Sequence, residues 1–512
     1  MAHEWWRDAV VYEVYVRSFA DSDGDGVGDL EGVRQHLPHL VSLGVDALWL
    51  TPFYPSPMAD HGYDVADYCD VEPVFGDLAG FDRLLGDAHA AGLKVIVDVV
   101  PNHTSSAHRW FQEALAGDPA ARARYVFREG VDGGPPNNWP SVFGGPAWTQ
   151  LPSGEWYLHL FDAGQPDLDW TNGDVHEEFL RILRFWLDRG VDGFRIDVAH
   201  ALHKNMSLDD AADVESAHLT RGVVWDRDEV LDVYEAWRAL LDGYDGDRML
   251  VGEVFLFDVP RISEYVSDAR LHQAFNFTVM KTEWGAAGLR ETVEAALEHF
   301  HPGTWVLSNH DLVRHVTRYG GGSLGRRRGL AVTGFLLGLP GSPYLYQGEE
   351  LGLDEAVVPE AQRQDPMWHR SGGALPTRDG CRTPMPWSAC GPGLGFTTGE
   401  SWLPFGTDAA ALAVDVQEGD PASTLSTYRR LLASRRALLA SGLPDEVALL
   451  PTAPDVLAYR RGGLLVVLNT ATEAVQVEVD ATGVVEATAA GAVLSDGVVT
   501  VPAATTVWLR SG

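Results

Sequence analysis

Eight short apolar segments, separated by helical patterns, constrain the fold of this chain more than any other feature. They begin at Val10, Val45, Leu93, Val191, Met249, Ala274, Thr304 and Ser342. Amphipathic stretches such as residues 78–92 and 176–190 lie between most of them. Near-continuous apolar strands separated by helices predict a parallel sheet covered on both faces. Eight such units favour an α/β fold of the (β/α)8 barrel type over an open, doubly wound sheet.

Two interruptions of this alternation predict additional domains. Residues 104–170 follow the third strand and are rich in Gly, Pro, Trp and Asn, as expected of a functional insertion rather than a plain loop. After residue 440 the pattern changes to short alternating strands typical of a small β-sandwich. We therefore predict a barrel built from residues 1–103 and 171–440, an insertion over 104–170, and a sandwich over 441–512.

Composition narrows the range of partners and compartments. The chain has 512 residues and a net charge of −35, which argues against binding to nucleic acid or anionic membranes. No apolar run approaches the roughly 20 residues that span a bilayer, and the first residues do not resemble a signal peptide. Three cysteines cannot build a disulfide framework. We expect a cytoplasmic protein without an organic cofactor, and the sequence leaves open whether it is a monomer or a homodimer.

Polar residues cluster where the predicted strands end. Acids at these positions are Asp98, Asp197, Glu253 and Asp311, and they are accompanied by Asn102, His103, Arg195 and His310. A (β/α)8 barrel carries its active site at the carboxyl ends of its strands. Buried charges are costly unless they are paired or used. The pattern therefore predicts one shared catalytic site rather than several unrelated ion pairs.

Four short motifs occur in this order along the chain: DVVPNH (98–103), GFRIDVAH (193–200), EVF (253–255) and NHD (309–311). Together with DHGYDVADY (60–68), QPDLDW (165–170) and RTPMPW (382–387), they resemble the α-amylase superfamily of glycoside hydrolases, in its α-glucosidase and oligo-1,6-glucosidase branch. The resemblance covers nearly the whole chain up to the sandwich. It implies a barrel with an inserted domain B after the third strand and a β-rich domain C.

The resemblance also implies a role for each motif residue. Asp197 would be the nucleophile that forms a covalent glucosyl intermediate, with Arg195 keeping its carboxylate ionised. Glu253 would act first as general acid and then as general base, and Asp311 would bind sugar hydroxyls. The substrate-binding residues implied in this way are Asp60, Tyr63, His103, Arg195, His310 and Arg382. Arg378 lies near Arg382 in the sequence, which leaves the choice of arginine open. The implied substrate is a short α-glucoside cut from its non-reducing end.

The stretch DSDGDGVGD (21–29) raises the possibility of a metal site. Asp21, Asp23 and Asp25 alternate as in an EF-hand loop, but Gly32 occupies the position of the bidentate glutamate, so a true EF-hand is excluded. The family resemblance implies a comparable loop that holds structural Ca²⁺, or Mg²⁺. The predicted ligands are Asp21, Asp23, Asp25, Asp29 and the backbone carbonyl of Val27.

Other functions remain as alternatives. The same covalent intermediate could be intercepted by a sugar, which would make the protein a transglucosylase or a sucrose isomerase. GGGSLG (320–325) matches both a serine-hydrolase and a dinucleotide-binding pattern, but each of these requires a strand immediately before it. A non-catalytic sugar-binding module of the same fold would usually lack one of the acids, and this chain has all of them.

Overall fold

The computed structural model describes residues 4–301 and 303–512. Its strands are β1 (Val11–Val14), β2 (Ala47–Leu50), β3 (Lys94–Val99), β4 (Phe127–Arg128), β5 (Trp148–Gln150), β6 (Trp156–Leu158), β7 (Gly193–Ile196), β8 (Met249–Gly252), β9 (Gln273–Ala274), β10 (Thr304–Val306), β11 (Ser342–Tyr346), β12 (Ala448–Leu449), β13 (Val456–Arg461), β14 (Leu464–Asn469), β15 (Val475–Glu478), β16 (Ala481–Ala487), β17 (Val493–Ser495), β18 (Val498–Val501) and β19 (Thr505–Ser511).

The α-helices are α1 (Val16–Phe19), α2 (Leu30–Gln35), α3 (Leu37–Leu43), α4 (Leu78–Ala90), α5 (Arg109–Leu115), α6 (Pro119–Arg122), α7 (Gly173–Arg189), α8 (Val230–Leu241), α9 (Val259–Glu264), α10 (Phe277–Lys281), α11 (Ala286–His299), α12 (His315–Arg318), α13 (Gly322–Leu337), α14 (Pro366–Arg370), α15 (Val414–Glu418) and α16 (Thr424–Ala440). Among the described residues, no helix is both long and apolar enough to cross a lipid bilayer.

Eight parallel strands form a nearly closed barrel, as predicted. Their order is β10-β11-β1-β2-β3-β7-β8-β9. Within the described residues no backbone ladder joins β9 to β10, but the Thr304 hydroxyl donates to the Ala274 carbonyl across this gap at 2.7 Å. The strands are almost entirely buried, which explains why they read as continuous apolar runs rather than alternating ones.

The sixth predicted strand is largely wrong. The apolar run from Ala274 contributes only the two-residue strand β9, and the chain then turns into helix α10. The side chain of Asn276 caps this helix by accepting from the Thr278 N–H. A cap residue within a short apolar run favours a helix start over strand continuation, and length alone could not distinguish the two.

Capping residues set the ends of the predicted amphipathic helices. Helix α4 begins after Asp77, whose side chain accepts from the Gly80 N–H. Helix α7 begins after Asn172 and ends at Gly190, which has a left-handed φ of 101°. Both helices bury one apolar face against the barrel. These ends lie within a few residues of those predicted, because the sequence carries recognisable start and stop signals.

Two smaller β-structures accompany the barrel. A three-stranded sheet of order β4-β6-β5 lies between β3 and α7, inside the predicted insertion. The C-terminal part forms one sheet of five strands (β12-β13-β14-β19-β16) and another of three (β15-β18-β17), with an apolar cluster between them. The predicted domain boundaries remain predictions.

The central strands β14 and β19 of the five-stranded sheet are buried on both faces. Val467 and Leu509 pack in the cluster shared with the three-stranded sheet, whereas Val466 and Trp508 pack in the main core with the barrel. The Trp508 indole N–H donates to the Gly334 carbonyl of helix α13 at 2.8 Å. The C-terminal sheets are therefore attached to the barrel through a continuous apolar face.

Candidate active site

The carboxyl ends of β3, β7 and β8 bring three acids around one arginine. Asp98 and Arg195 are direct partners in the β3–β7 ladder. Asp197 follows the last residue of β7, and Glu253 follows the last residue of β8. Because the strands are parallel and adjacent, side chains at their carboxyl ends meet at one edge of the barrel. The predicted cluster of polar residues is brought together in this way.

Arg195 is the hub of this cluster and is completely buried. Its Nη1 lies 2.7 Å from Asp197 Oδ1 and 3.0 Å from Asp98 Oδ1, while its Nη2 lies 2.7 Å from Glu253 Oε2. The planar fork of a guanidinium suits two carboxylates at once. Asp197 and Glu253 are thus held side by side, on different nitrogens of the same group.

Burial governs the protonation of these acids. It raises the pKa of Asp197 well above its ordinary value; Arg195 lowers it, and the charges of Glu253, Asp98 and Asp311 raise it further. Burial also raises the pKa of Asp98 to about 7, again against the effect of Arg195. Arg195 therefore lowers the pKa of these acids, as predicted, but its single charge does not offset the desolvation of several acids. We expect the free cluster to retain a proton near neutral pH.

A second charged group surrounds Asp311. Its Oδ1 lies 2.8 Å from Arg382 Nη2 and 3.1 Å from Arg378 Nη1, and its Oδ2 lies 3.2 Å from His310 Nε2. Burial would raise the pKa of Asp311, but His310 and the two guanidinium groups together hold it well below its usual range. Asp311 is therefore an anion, while its side chain keeps 28% of its surface exposed.

Arg378, which the motifs do not specify, also belongs to this charged group. Its Nη2 lies 2.9 Å from Asp60 and 2.8 Å from Asp365, so it links these acids to Asp311. Both Arg378 and the predicted Arg382 thus contact Asp311, so the structure brings both arginines to the same carboxylate. The only sequence signal for Arg378 is that it lies four positions before the RTPMPW motif.

Asp60 and His103 are joined through Gln165. The Gln165 amide nitrogen lies 3.2 Å from Asp60 Oδ2 and 3.1 Å from His103 Nε2. Burial raises the pKa of Asp60 to about 6, against the effect of Arg378, and lowers the pKa of His103 to about 4. Gln165 begins the QPDLDW motif, so the sequence marked the segment without assigning this residue a role.

Tyr63, one of the implied substrate-binding residues, lies in an aromatic stack. The rings of Tyr15, His310 and Tyr63 lie nearly parallel, with His310 between the two tyrosines at 5.6 and 5.2 Å. The Tyr63 hydroxyl donates to Asp98 Oδ2 at 3.1 Å. One face of Tyr63 is therefore occupied by His310, and its hydroxyl connects the stack to the Arg195 hub.

The acidic loop after helix α1 brings three of the predicted metal ligands together. Carboxylate oxygens of Asp21, Asp23 and Asp29 all lie within 4.8 Å of one another. Asp29 also caps helix α2 by accepting from the Gly32 N–H at 2.6 Å. The Asp25 carboxylate lies outside this group and accepts from the Val27 N–H at 2.8 Å.

The alternative nucleophile Ser323 lies outside this arrangement. GGGSLG connects helix α12 to helix α13, and Ser323 is the second residue of α13. A nucleophile elbow and a dinucleotide loop both require a strand immediately before the glycines. A helix precedes them here, so the local structure supports neither function.

Comparison with known proteins agrees with the geometry. Residues 13–442 match the α-amylase catalytic domain family. The chain belongs to this family. It is 40% identical to a probable α-glucosidase of Rhizobium meliloti over 90% of this chain and 87% of that protein. It is 35% identical to the oligo-1,6-glucosidase of Parageobacillus thermoglucosidasius, covering 85% and 84% of the two chains.

A solved structure is similar over the full length. The crystal structure of the α-glucosyl transfer enzyme XgtA superposes with a TM-score of 0.92, at 39% identity and 100% coverage of both chains. Membership of the α-amylase family confirms the resemblance seen in the motifs. The protein is a glycoside hydrolase of the α-glucosidase and oligo-1,6-glucosidase branch.

Proposed function

We propose that the protein is an exo-acting, retaining α-glucosidase that releases glucose from the non-reducing end of short α-glucosides. The observation that carries this proposal is the pair of carboxylates on Arg195. Asp197 and Glu253 each lie 2.7 Å from a different nitrogen of that guanidinium. In retaining glycosidases the two carboxyl groups are about 5–5.5 Å apart, whereas inverting enzymes need room for a water between them.

In this mechanism the two acids act in two steps. Asp197 forms a bond to the anomeric carbon as the glycosidic bond breaks, and Glu253 gives its proton to the departing oxygen. Water then attacks the anomeric carbon, transfers a proton to Glu253 and releases Asp197 as a carboxylate. Arg195 supports the second step because it favours the ionised form of the leaving carboxylate. The product keeps its α configuration.

The charged group around Asp311 supports exo action. Arg378 joins Asp60 to Asp311. We infer that Asp311, Arg382 and His310 bind hydroxyls of one terminal glucose, with His103 and Tyr63 completing its pocket. A pocket closed on that side by these ion pairs would have no space for further sugar units.

A substrate panel with analysis of products tests this function. Maltose, isomaltose, sucrose, trehalose and maltotetraose are incubated with the wild type and with Asp197→Asn and Glu253→Gln. We expect glucose as the first product, and at least about a thousandfold less from either variant. The stereochemistry is read with 4-nitrophenyl α-glucoside, whose only sugar is the one cleaved at its anomeric carbon, and wild type should release the α anomer in ¹H NMR spectra. Initial release of β-glucose from this substrate, or of maltose from maltotetraose, would contradict the proposal.

Glucosyl transfer is a second candidate, favoured by the full-length similarity to an α-glucosyl transfer enzyme. The same intermediate would be attacked by a sugar hydroxyl instead of water. The panel distinguishes these outcomes: products longer than the substrate indicate transfer, and an isomer of sucrose indicates isomerisation. Single glucose units alone indicate hydrolysis.

We also propose that the loop of residues 21–29 holds a structural Ca²⁺, with Mg²⁺ as the alternative ion. Three converging carboxylates fit a hard cation, which prefers oxygen ligands. Asp21, Asp23 and Asp29 would provide these oxygens, and Asp25 and the Val27 carbonyl would join them. Bound Ca²⁺ supplies positive charge that relieves repulsion within the loop, and it takes no part in the chemistry.

A further inference from the structure

The residue after Asp197 has an unusual backbone. Val198 has a φ of 42°, in the left-handed region. A β-branched side chain is rarely found there, because its Cβ approaches the backbone too closely. The apolar segment from Val191 predicts a strand, yet β7 ends at Ile196 and a turn begins. Strained conformations of this kind persist only where surrounding contacts enforce them.

Four contacts tie this turn to Glu253. The backbone N–H of Glu253 donates to the Ile196 carbonyl at 2.8 Å, and its carbonyl accepts from the Ala199 N–H at 2.8 Å. The Glu253 side chain is held by Arg195 Nη2 at 2.7 Å and by the Val198 N–H at 3.1 Å. The segment that carries Asp197 thus contacts both the backbone and the side chain of Glu253.

Both side-chain contacts end on the same oxygen of Glu253. Arg195 and the Val198 N–H both reach Oε2, and none of the hydrogen bonds described for this structure reaches Oε1. An oxygen that accepts a hydrogen bond from a backbone N–H and also lies 2.7 Å from a guanidinium nitrogen is a poor site for a proton. The proton of the acid form is therefore directed to Oε1, the oxygen left free for the departing sugar.

We propose that Val198 is a positioning residue: its left-handed turn aims its backbone N–H at Glu253 Oε2, fixing which oxygen carries the transferred proton. This inference rests on the role proposed for Glu253. It assigns a role to the backbone of Val198, separate from any contact of its side chain with a sugar. Removing the N–H should make the carboxylate form of Glu253 less stable, so the acid stays protonated to higher pH.

An ester substitution tests the proposal directly. Nonsense suppression with the α-hydroxy analogue of valine replaces the Val198 N–H by oxygen and keeps the side chain. The basic limb of the kcat/KM profile for 4-nitrophenyl α-glucoside should move upward by about 1–2 pH units, the size expected for one hydrogen bond to a charged group. Val198→Gly, which retains the N–H and adopts the left-handed conformation freely, should leave the limb in place.

The matched control is the same ester at Ala201, whose N–H donates to the Val198 carbonyl at 2.9 Å. It removes a bond of the turn without touching Glu253, so it should lower stability and leave the basic limb unchanged. An unchanged limb in the Val198 ester, or an equal shift in both esters, would overturn the proposal.

A readout that does not need turnover separates this inference from the proposed function. The Glu253 carboxyl is titrated by ¹³C NMR, with Glu253→Gln assigning its signal. An upward shift of the titration midpoint in the Val198 ester supports the positioning role even if no α-glucoside is hydrolysed. No shift in an enzyme that hydrolyses α-glucosides with retention refutes the inference and leaves the proposed function standing.

Discussion

At the residue scale, the site depends on arginines that each serve several carboxylates. Arg195 contacts Asp98, Asp197 and Glu253, and Arg378 contacts Asp60, Asp311 and Asp365. A buried carboxylate that loses its partner is left with an uncompensated charge. Substitution of either arginine should therefore lower stability or activity much more than substitution at an exposed ion pair does.

Arg378→Lys should lower kcat/KM for 4-nitrophenyl α-glucoside by about 100-fold or more. A lysine ammonium cannot reproduce contacts to three carboxylates from one planar group, and each charge-assisted bond contributes about 1.5–3 kcal/mol. The control is Arg429→Lys, which alters an ion pair with Glu418 whose side chain is 53% exposed. A kcat/KM within twofold of wild type in Arg378→Lys would contradict the role given to this residue.

Asp98 should make the protein less stable as pH rises from 5 to 8. Its pKa is about 7 in the fold, above the value of about 4 expected when unfolded, so the folded state binds more protons over this interval. This contribution is present at pH 5 and lost as pH passes 7. The free energy of unfolding, measured with urea, should differ between pH 5 and pH 8 by about 2–3 kcal/mol less in Asp98→Asn than in the wild type. The control is Asp82→Asn, at an exposed ion pair. If the stability difference between pH 5 and pH 8 is the same in Asp98→Asn as in the wild type, the raised pKa assigned to Asp98 is wrong.

At the element scale, most of the barrel could be predicted, and the errors have local causes. The apolar strands and capped helices were recognisable because each carries its own periodicity and end signals. The prediction of a strand from Ala274 is largely wrong because a short buried strand and the start of a buried helix have the same apolar pattern. Gln165 and Arg378 could not be assigned, since their partners are distant in sequence and the pairing depends on the fold. Nothing in the sequence indicates the left-handed φ of Val198, because valine is typical of strands.

The loop of residues 21–29 gives a prediction at this scale. Removing divalent cations with EDTA should lower Tm, and adding Ca²⁺ should restore it, because a ligand that binds only the folded state stabilises it. The variant Asp21→Asn should lose most of this response, while Asp67→Asn, outside the loop, should retain it. A Tm that does not respond to chelation in wild type would contradict the proposed metal site.

At the scale of the whole molecule, packing of the C-terminal sheets against the barrel contributes to the stability of the protein. Trp508 is completely buried between the five-stranded sheet and helix α13. Trp508→Ala should lower the free energy of unfolding by about 3–5 kcal/mol, as large core truncations do. Val493→Ala, at a residue that is 56% exposed, should change it by less than about 0.5 kcal/mol. Equal urea midpoints for the two variants would show that the sheets are not coupled to the barrel.

The central claim is that Asp197 forms a covalent bond to glucose, and trapping that intermediate tests it most directly. The wild type is treated with 5-fluoro-α-D-glucosyl fluoride, which slows breakdown of the intermediate, and the digested protein is mapped by mass spectrometry. We predict that the peptide containing Asp197 gains the mass of one fluoroglucosyl unit, and that Asp197→Asn gains none. A label on any other acid, or an unlabelled enzyme that still releases glucose from its substrates, would contradict the account.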